Sequence, residues 1–88
     1  MKTVELTADV YSNAEGIAYR LYVDDTLMTE RTFRWEPRKN CIEEHMVLQV
    51  TPGSTHTVRV ESVKKDGEYF TLKNITVDGV KSDTTFLV

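Results

Sequence analysis

The residues able to do chemistry in this chain are few and scattered. Two histidines, His45 and His56, are the candidate metal ligands. Both fall in runs of alternating polarity. His45 has the parity opposite Met46, whereas His56 has the parity of Val58 and Val60. If the two runs form a hairpin with matched apolar faces, the rings point to opposite sides of the sheet and cannot share an ion. His56 then reads as a strand-end residue at the rim of the core, and His45 as a surface residue. Two acidic pairs, Asp24-Asp25 and Glu43-Glu44, invite a calcium or an acid–base reading. Calcium takes about six to eight oxygens, and no run of alternating aspartates surrounds Asp24-Asp25. Glu43 and Glu44 point to opposite faces of a strand, so they cannot act together as acid and base.

Nucleophiles offer no stronger case. Ser12, Ser54, Ser62 and Ser82 have no base at motif spacing, and no G-x-S-x-G, H-E-x-x-H or phosphate-binding loop occurs. Cys41 is the only cysteine, which excludes an internal disulfide and a C-x-x-C zinc site. A catalytic thiol needs a base beside it, and the sequence near Cys41 supplies none. It reads as a half-buried small apolar residue where a strand starts. Asn74-Ile75-Thr76 fits the glycosylation sequon but falls inside a strand. The expectation is a protein with no catalytic centre, no metal and no cofactor.

Binding is better represented. The stretch "TFRWEPRKN" (32–40) places the only tryptophan, Trp35, among Arg34, Arg38 and Lys39, with Pro37 between them. With Arg31, four of the eleven basic residues fall within nine positions of an acidic chain. A basic patch around an aromatic suits an acidic protein surface or a sugar, and a proline lowers the entropy cost of ordering the loop. Phe33 and Trp35 share the parity of Leu27, so their inner edges are expected on the core while the arginines reach outward. A second candidate surface is the outer face of the first hairpin, with Arg20, Tyr22 and Met28 on it. Tyr, Met and Arg are enriched in protein interfaces.

What must position these residues is a set of short strands, because the dominant signal is period two. In "TVELTADVY", Val4, Leu6, Ala8 and Val10 share one face. "IAYRLYVD" puts Ile17, Tyr19, Leu21 and Val23 on one side. A three-residue loop (24–26) would pair Val23 with Leu27, Tyr22 with Met28 and Arg20 with Glu30. That register turns Arg31 inward opposite Tyr19, a fault that a bulge in the third strand or an edge position relieves. "CIEEHMVLQV" lines one face with Ile42, Met46, Leu48 and Val50, and Glu44 is the exception. Pro52-Gly53 marks a turn into "HTVRVESV". "KKDGEY" reads as the clearest hairpin, pairing Ser62 with Phe70 and Val60 with Leu72. After Leu72 the apolar parity shifts, which predicts a bulge near Lys73-Asn74. Asp78-Gly79 turns the chain again, and "VKSDTTFLV" ends it with Phe86 and Val88 on one side and Leu87 on the other. Helical periodicity is nowhere convincing. The prediction is an all-β antiparallel sandwich, jelly-roll or Ig-like, of seven or eight short strands in one domain, 1–88.

Composition narrows the partners. Forty per cent apolar and 28% charged residues are globular proportions. A formal charge of −3 argues against nucleic acid, which calls for a broad basic face. No apolar run approaches the ~18 residues of a membrane span. After Met1 and Lys2 the alternation begins at once, with no apolar leader, so the expectation is either synthesis in the cytoplasm or a fragment cut from a longer protein.

From Val50 onward, "VTPGSTHTVRVESVKKDGEYFTLKNITVDG" (50–79) resembles the closing strands of jelly-roll carbohydrate-binding modules. That resemblance implies polysaccharide binding with Trp35 as stacking platform, in a domain secreted as part of a larger enzyme. In size and architecture the chain resembles small Ig-like or jelly-roll accessory proteins of bacteriophage virions, which assemble on a capsid or tail without chemistry. That resemblance implies a non-enzymatic structural protein of the virion, made in the host cytoplasm. Its partners would be capsid or tail subunits, or other copies of itself. Its contacts would come from Arg34, Trp35, Arg38 and Lys39 and from Arg20, Tyr22 and Met28. The virion reading is the leading expectation and the sugar reading the alternative.

Overall fold

Strand β1 (Lys2–Ser12) carries the plainest alternation in the sequence, and the fold is built around it. In the computed structural model, which describes residues 1–13, 16–34, 41–64 and 69–88, Val4, Leu6, Ala8 and Val10 are almost wholly removed from water. Each fully buried valine or leucine contributes about 1.5–3 kcal/mol relative to exposure. A strand so buried on one face is best placed centrally, and β1 has a neighbour on both sides. β4 (Cys41–Val50) and β6 (Phe70–Val77) flank it, and β7 (Val80–Lys81) completes the sheet in the order β4-β1-β6-β7. The second sheet has the order β3-β2-β5-β8, from β2 (Ala18–Val23), β3 (Thr26–Thr32), β5 (Thr55–Ser62) and β8 (Thr85–Leu87). All these pairings are antiparallel. The described residues form eight strands and no helix, as the period-two pattern predicts. The two sheets pack as a sandwich around Tyr19, Leu21, Phe33, Val58, Ile75 and Phe86 in addition to the β1 residues.

Two expected hairpins are not formed. β4 and β5 lie in different sheets, and so do β5 and β6. Pro52-Gly53 does turn the chain, with Gly53 in the left-handed region at φ 84°, but the turn carries it from one layer to the other. The C-terminus holds that crossing: Gly53 N–H donates to Val88 O at 2.7 Å, and Val88 N–H donates to Ser54 O at 3.0 Å. A turn signal reports that the chain reverses, not which strand it then pairs with. Here β1 takes both β4 and β6, which satisfies the backbone N–H and C=O groups along both of its edges. The pairings of Ser62 with Phe70 and Val60 with Leu72 are replaced by Ser12↔Phe70 and Val10↔Leu72. Residues 65–68, the tip of the expected hairpin, lie outside the described residues.

The first hairpin differs in detail. Its turn is two residues, Asp24-Asp25, closing on Val23↔Thr26, with Asp24 at φ 57°. Tyr22 therefore faces Leu27, not Met28, and the extra residue Met28 makes a bulge before Leu21↔Thr29. The expected Arg20↔Glu30 pair is restored beyond the bulge. The consequence is an exchange of faces. Leu27 is half exposed on the outside, and Met28 packs against the core. The parity shift in β6 is a bulge as well, at Asn74 (φ 53°), where the register with β1 moves between Thr7 and Asp9. The Asn74 amide donates to Asp9 Oδ2 at 2.8 Å, so the side chain that a sequon would offer is engaged. The β6–β7 hairpin is a turn with positive φ at both Asp78 (51°) and Gly79 (79°), the geometry that Asp-Gly favours.

Candidate functional site

The two strands that break the apolar pattern meet across the sandwich. β3 and β4 are both edge strands. Arg31 on β3 and Glu44 on β4 are the two charges that the alternation turns inward. The Arg31 Nε lies 2.6 Å from Glu44 Oε1, and a terminal guanidinium nitrogen donates to Oε2 at 3.2 Å. Tyr19 Oη donates to Oε1 at 2.5 Å. Glu44 is 3% exposed and Tyr19 fully buried. Burial, and then the bond to Glu44, push the Tyr19 phenol far above its ordinary value. Among the described residues no buried polar side-chain atom is left without a partner. The cluster joins the two sheets at their open edge. On the same edge, a groove of about 250 Å³ runs between Met28 of β3 and Val47 and Leu48 of β4, with Asp24 and His56 also on its walls.

Around Asp24 and His56, two turns are tied together. His56 Nδ1 sits 2.7 Å from Asp24 Oδ2, and Nε2 sits 2.7 Å from Ser54 Oγ. Asp24 Oδ1 also accepts from Thr57 N–H at 3.1 Å. The set has the residue types of a nucleophile, a base and an orienting acid. The serine hydroxyl has one proton, however, and Thr51 O competes for it at 2.5 Å. What the cluster does on the observed geometry is fasten the β2–β3 turn to the β4–β5 crossing. The bond to His56, followed by the Thr57 N–H, holds the Asp24 carboxyl below its ordinary value. A carboxyl so lowered contributes stability in full above the free value of about 3.9, and loses it as pH falls through the folded value. Urea midpoints measured from about pH 5 to about pH 2 are therefore expected to fall more steeply for the native chain than for Asp24→Asn; parallel curves would contradict this. His45 stands on the other sheet, exposed, 4.0 Å from Glu5. The two imidazoles are apart, though by sheet membership and not by the hairpin parity expected. Among the described residues no group of three or more His, Cys, Asp or Glu could hold a metal.

The outer face of the second sheet holds part of the predicted contact set. Arg20 pairs with Glu30 at 3.1 Å. The Arg59 guanidinium lies 4.1 Å from the Tyr22 ring centre and 2.7 Å from Glu61. Met28 does not belong to this face, because the bulge turned it inward; Leu27 takes its place. Arg34 is exposed beside Gly16. Arg31 leaves the expected basic patch for Glu44. Phe33 is wholly buried, as its parity predicts. Trp35, Arg38 and Lys39 lie outside the described residues. Compared with family models, with curated proteins and with solved structures, the chain matches none.

Two groupings are not predicted from the sequence. Arg31 and Glu44 each stand out there as an anomaly, and two inward charges of opposite sign on different strands are the signal that pairs them. Asp24 and His56 are 32 positions apart with no spacing motif, and only the packing of the sheets joins them.

Proposed function

We propose that this chain is a non-enzymatic structural or interaction protein that works by assembly, in the specific form of an accessory protein of a bacteriophage virion. The observation that carries the reading is the state of β4. Sheet edges attract further strands, and proteins blunt them by shortness, bulges, lysine or proline. Of the sheet edges among the described residues, β4 alone is left open. β7 has two residues, β8 has three, and β3 is bulged at Met28. β4 runs ten residues in unbroken register with β1, has no lysine or proline, and carries Val47 57% exposed. Its one inward charge, Glu44, is satisfied from within by Arg31 and Tyr19. Among the described residues no strand covers its far side.

A second copy fits that edge. In an antiparallel pairing centred on Val47, Met46 faces Leu48 of the other copy, His45 faces Gln49, and Glu43 faces Thr51. No like charges meet, and the exposed valine is covered. Such an isologous contact closes on itself and would join neighbouring subunits on a particle. The virion setting comes from the likeness in size and architecture to small sandwich proteins of phage particles. Sedimentation equilibrium is expected to give twice the monomer mass, with Val47→Lys returning the chain to monomer and leaving its unfolding midpoint equal to that of the native chain diluted until it, too, is monomeric. A monomer at all concentrations up to about 1 mM, weaker than any useful contact, would defeat the assembly reading. Absence of the chain from purified particles of the producing strain would defeat the virion setting alone.

A further inference from the structure

Apolar exposure at the edge of the sandwich is not confined to β4. Val47 of β4 is 57% exposed, and Leu27 of β3 is 49% exposed. Between the two strands runs the groove of about 250 Å³, with Thr26 and Met28 of β3 on one wall and Leu48 and Val50 of β4 on the other. The heights of β3 and β4 along this edge follow from their contacts. Arg31 reaches Glu44 at 2.6 Å. Met28 lines the groove together with Val47 and Leu48, and Asp24 lines it together with Val50. Residue numbers thus fall along β3 as they rise along β4, and the Asp24-Asp25 turn lies at the Val50 end.

We propose that β3 is a second contact surface for another copy of this chain: Met28 of one copy packs on Met28 of the other across a two-fold axis, and Arg31 of each pairs with Asp25 of the other. This contact rests on the antiparallel β4 pairing centred on Val47. The sheets of a sandwich lie about 10 Å apart, so extending one sheet across an axis brings the edge of its companion layer to the same axis. An axis through Val47 passes beside Met28, because both residues line one groove. The same pairing sets Glu44 opposite Val50 of the other copy. Arg31 accompanies Glu44 and the acidic turn accompanies Val50, so a guanidinium meets a carboxylate, twice by symmetry. Asp24 already serves His56 and Thr57 N–H. Asp25 is fully exposed, with Arg59 4.0 Å away, and the Arg31 side chain is 49% exposed. The Met28 bulge spoils β3 for strand pairing, which leaves side chains to make the contact. Methionine adapts to irregular gaps and suits a seam between two grooves. A strand edge by itself offers little area, whereas stable interfaces bury about 1,200–2,000 Å². β3 adds Leu27 and the groove to what β4 buries, and the ion pairs fix the register.

Crosslinking tests the axis, and sedimentation equilibrium tests the ion pair. In a Cys41→Ser background, Met28→Cys treated with a short bismaleimide is expected to run as a covalent dimer on a denaturing gel. Val80→Cys, 70% exposed on the opposite edge, is expected to stay monomeric there. If Met28→Cys does not fold, the half-exposed Leu27→Cys serves in its place and should crosslink likewise. Asp25→Lys sets like charges against each other and should weaken dimerisation at least about tenfold, while leaving the circular dichroism of the monomer unchanged. A chain that dimerises through β4, as its loss in Val47→Lys would show, yet fails to crosslink at β3 or is indifferent to Asp25→Lys, overturns this contact and leaves the β4 pairing standing. A chain that never dimerises overturns both.

Discussion

Replacing Arg31 by methionine is expected to lower the unfolding free energy by about 3 kcal/mol. The reason is the charge left behind. Glu44 is 3% exposed, and without the guanidinium it keeps, among the described residues, the Tyr19 hydroxyl as its side-chain partner. Removing one partner of a buried pair costs about 3–5 kcal/mol. The lower end applies here because the Arg31 side chain is itself 49% exposed, so water can reach part of the vacated space. For a domain of this size about 1 kcal/mol moves the midpoint by about 4–8 °C, which makes a loss of about 12–24 °C. The double variant Arg31→Met with Glu44→Leu is expected to recover most of it, since a buried pair exchanged whole for apolar groups is often neutral or stabilising. Urea titration of the single and double variants decides. A single variant within about 0.5 kcal/mol of the native chain would mean that the pair adds nothing to stability. A double variant no better than the single would mean that the loss comes from packing and not from the orphaned charge.

The second large effect is at Phe33. Phe33→Ala is expected to cost about 3–5 kcal/mol. The ring is wholly buried and stands 6.0 Å from Phe70, which in turn stands 5.2 Å from Tyr19. Its backbone continues the β2–β3 pairing past Thr32: Phe33 N–H donates to Ile17 O at 3.0 Å, and Phe33 O accepts from Gly16 N–H at 2.9 Å. Truncation opens a cavity among aromatic rings held on different strands, a site with little freedom to collapse. Phe33→Leu, which keeps most of the volume, should cost markedly less. Denaturant unfolding measures both. Equal, small losses for the two would place Phe33 outside the core.

How far the sequence reaches is visible strand by strand. Alternation alone places Val4, Leu6, Ala8 and Val10 on the buried side of β1, and Phe86 inward with Leu87 outward on β8, because side-chain direction is a local property of extended backbone. The Asn74 bulge is legible for the same reason: an extra residue reverses the parity of the positions after it. The Arg20–Glu30 pair is legible because a hairpin is short-range. The Met28 bulge is only half legible. The misfit of Arg31 reveals that a correction is needed, but the two-residue turn at Asp24-Asp25 and the bulge together restore the same Arg20–Glu30 pair as the three-residue loop expected. The choice between them exchanges Leu27 for Met28.

The amino-acid sequence by itself determined an all-β chain, the inward and outward faces of its strands apart from the start of β3, and the turns at Pro52-Gly53 and Asp78-Gly79. Each is set by the backbone geometry of neighbours a few residues apart. Only the tertiary structure decided which strands pair, so that β4 and β6 both flank β1 while the chain crosses between sheets at Gly53. It alone brought Arg31 to Glu44 and His56 to Asp24. Those meetings depend on how strands far apart in the chain lie beside and over one another. The free energy that selects the arrangement is summed over the whole buried face, and no short stretch of sequence contains it.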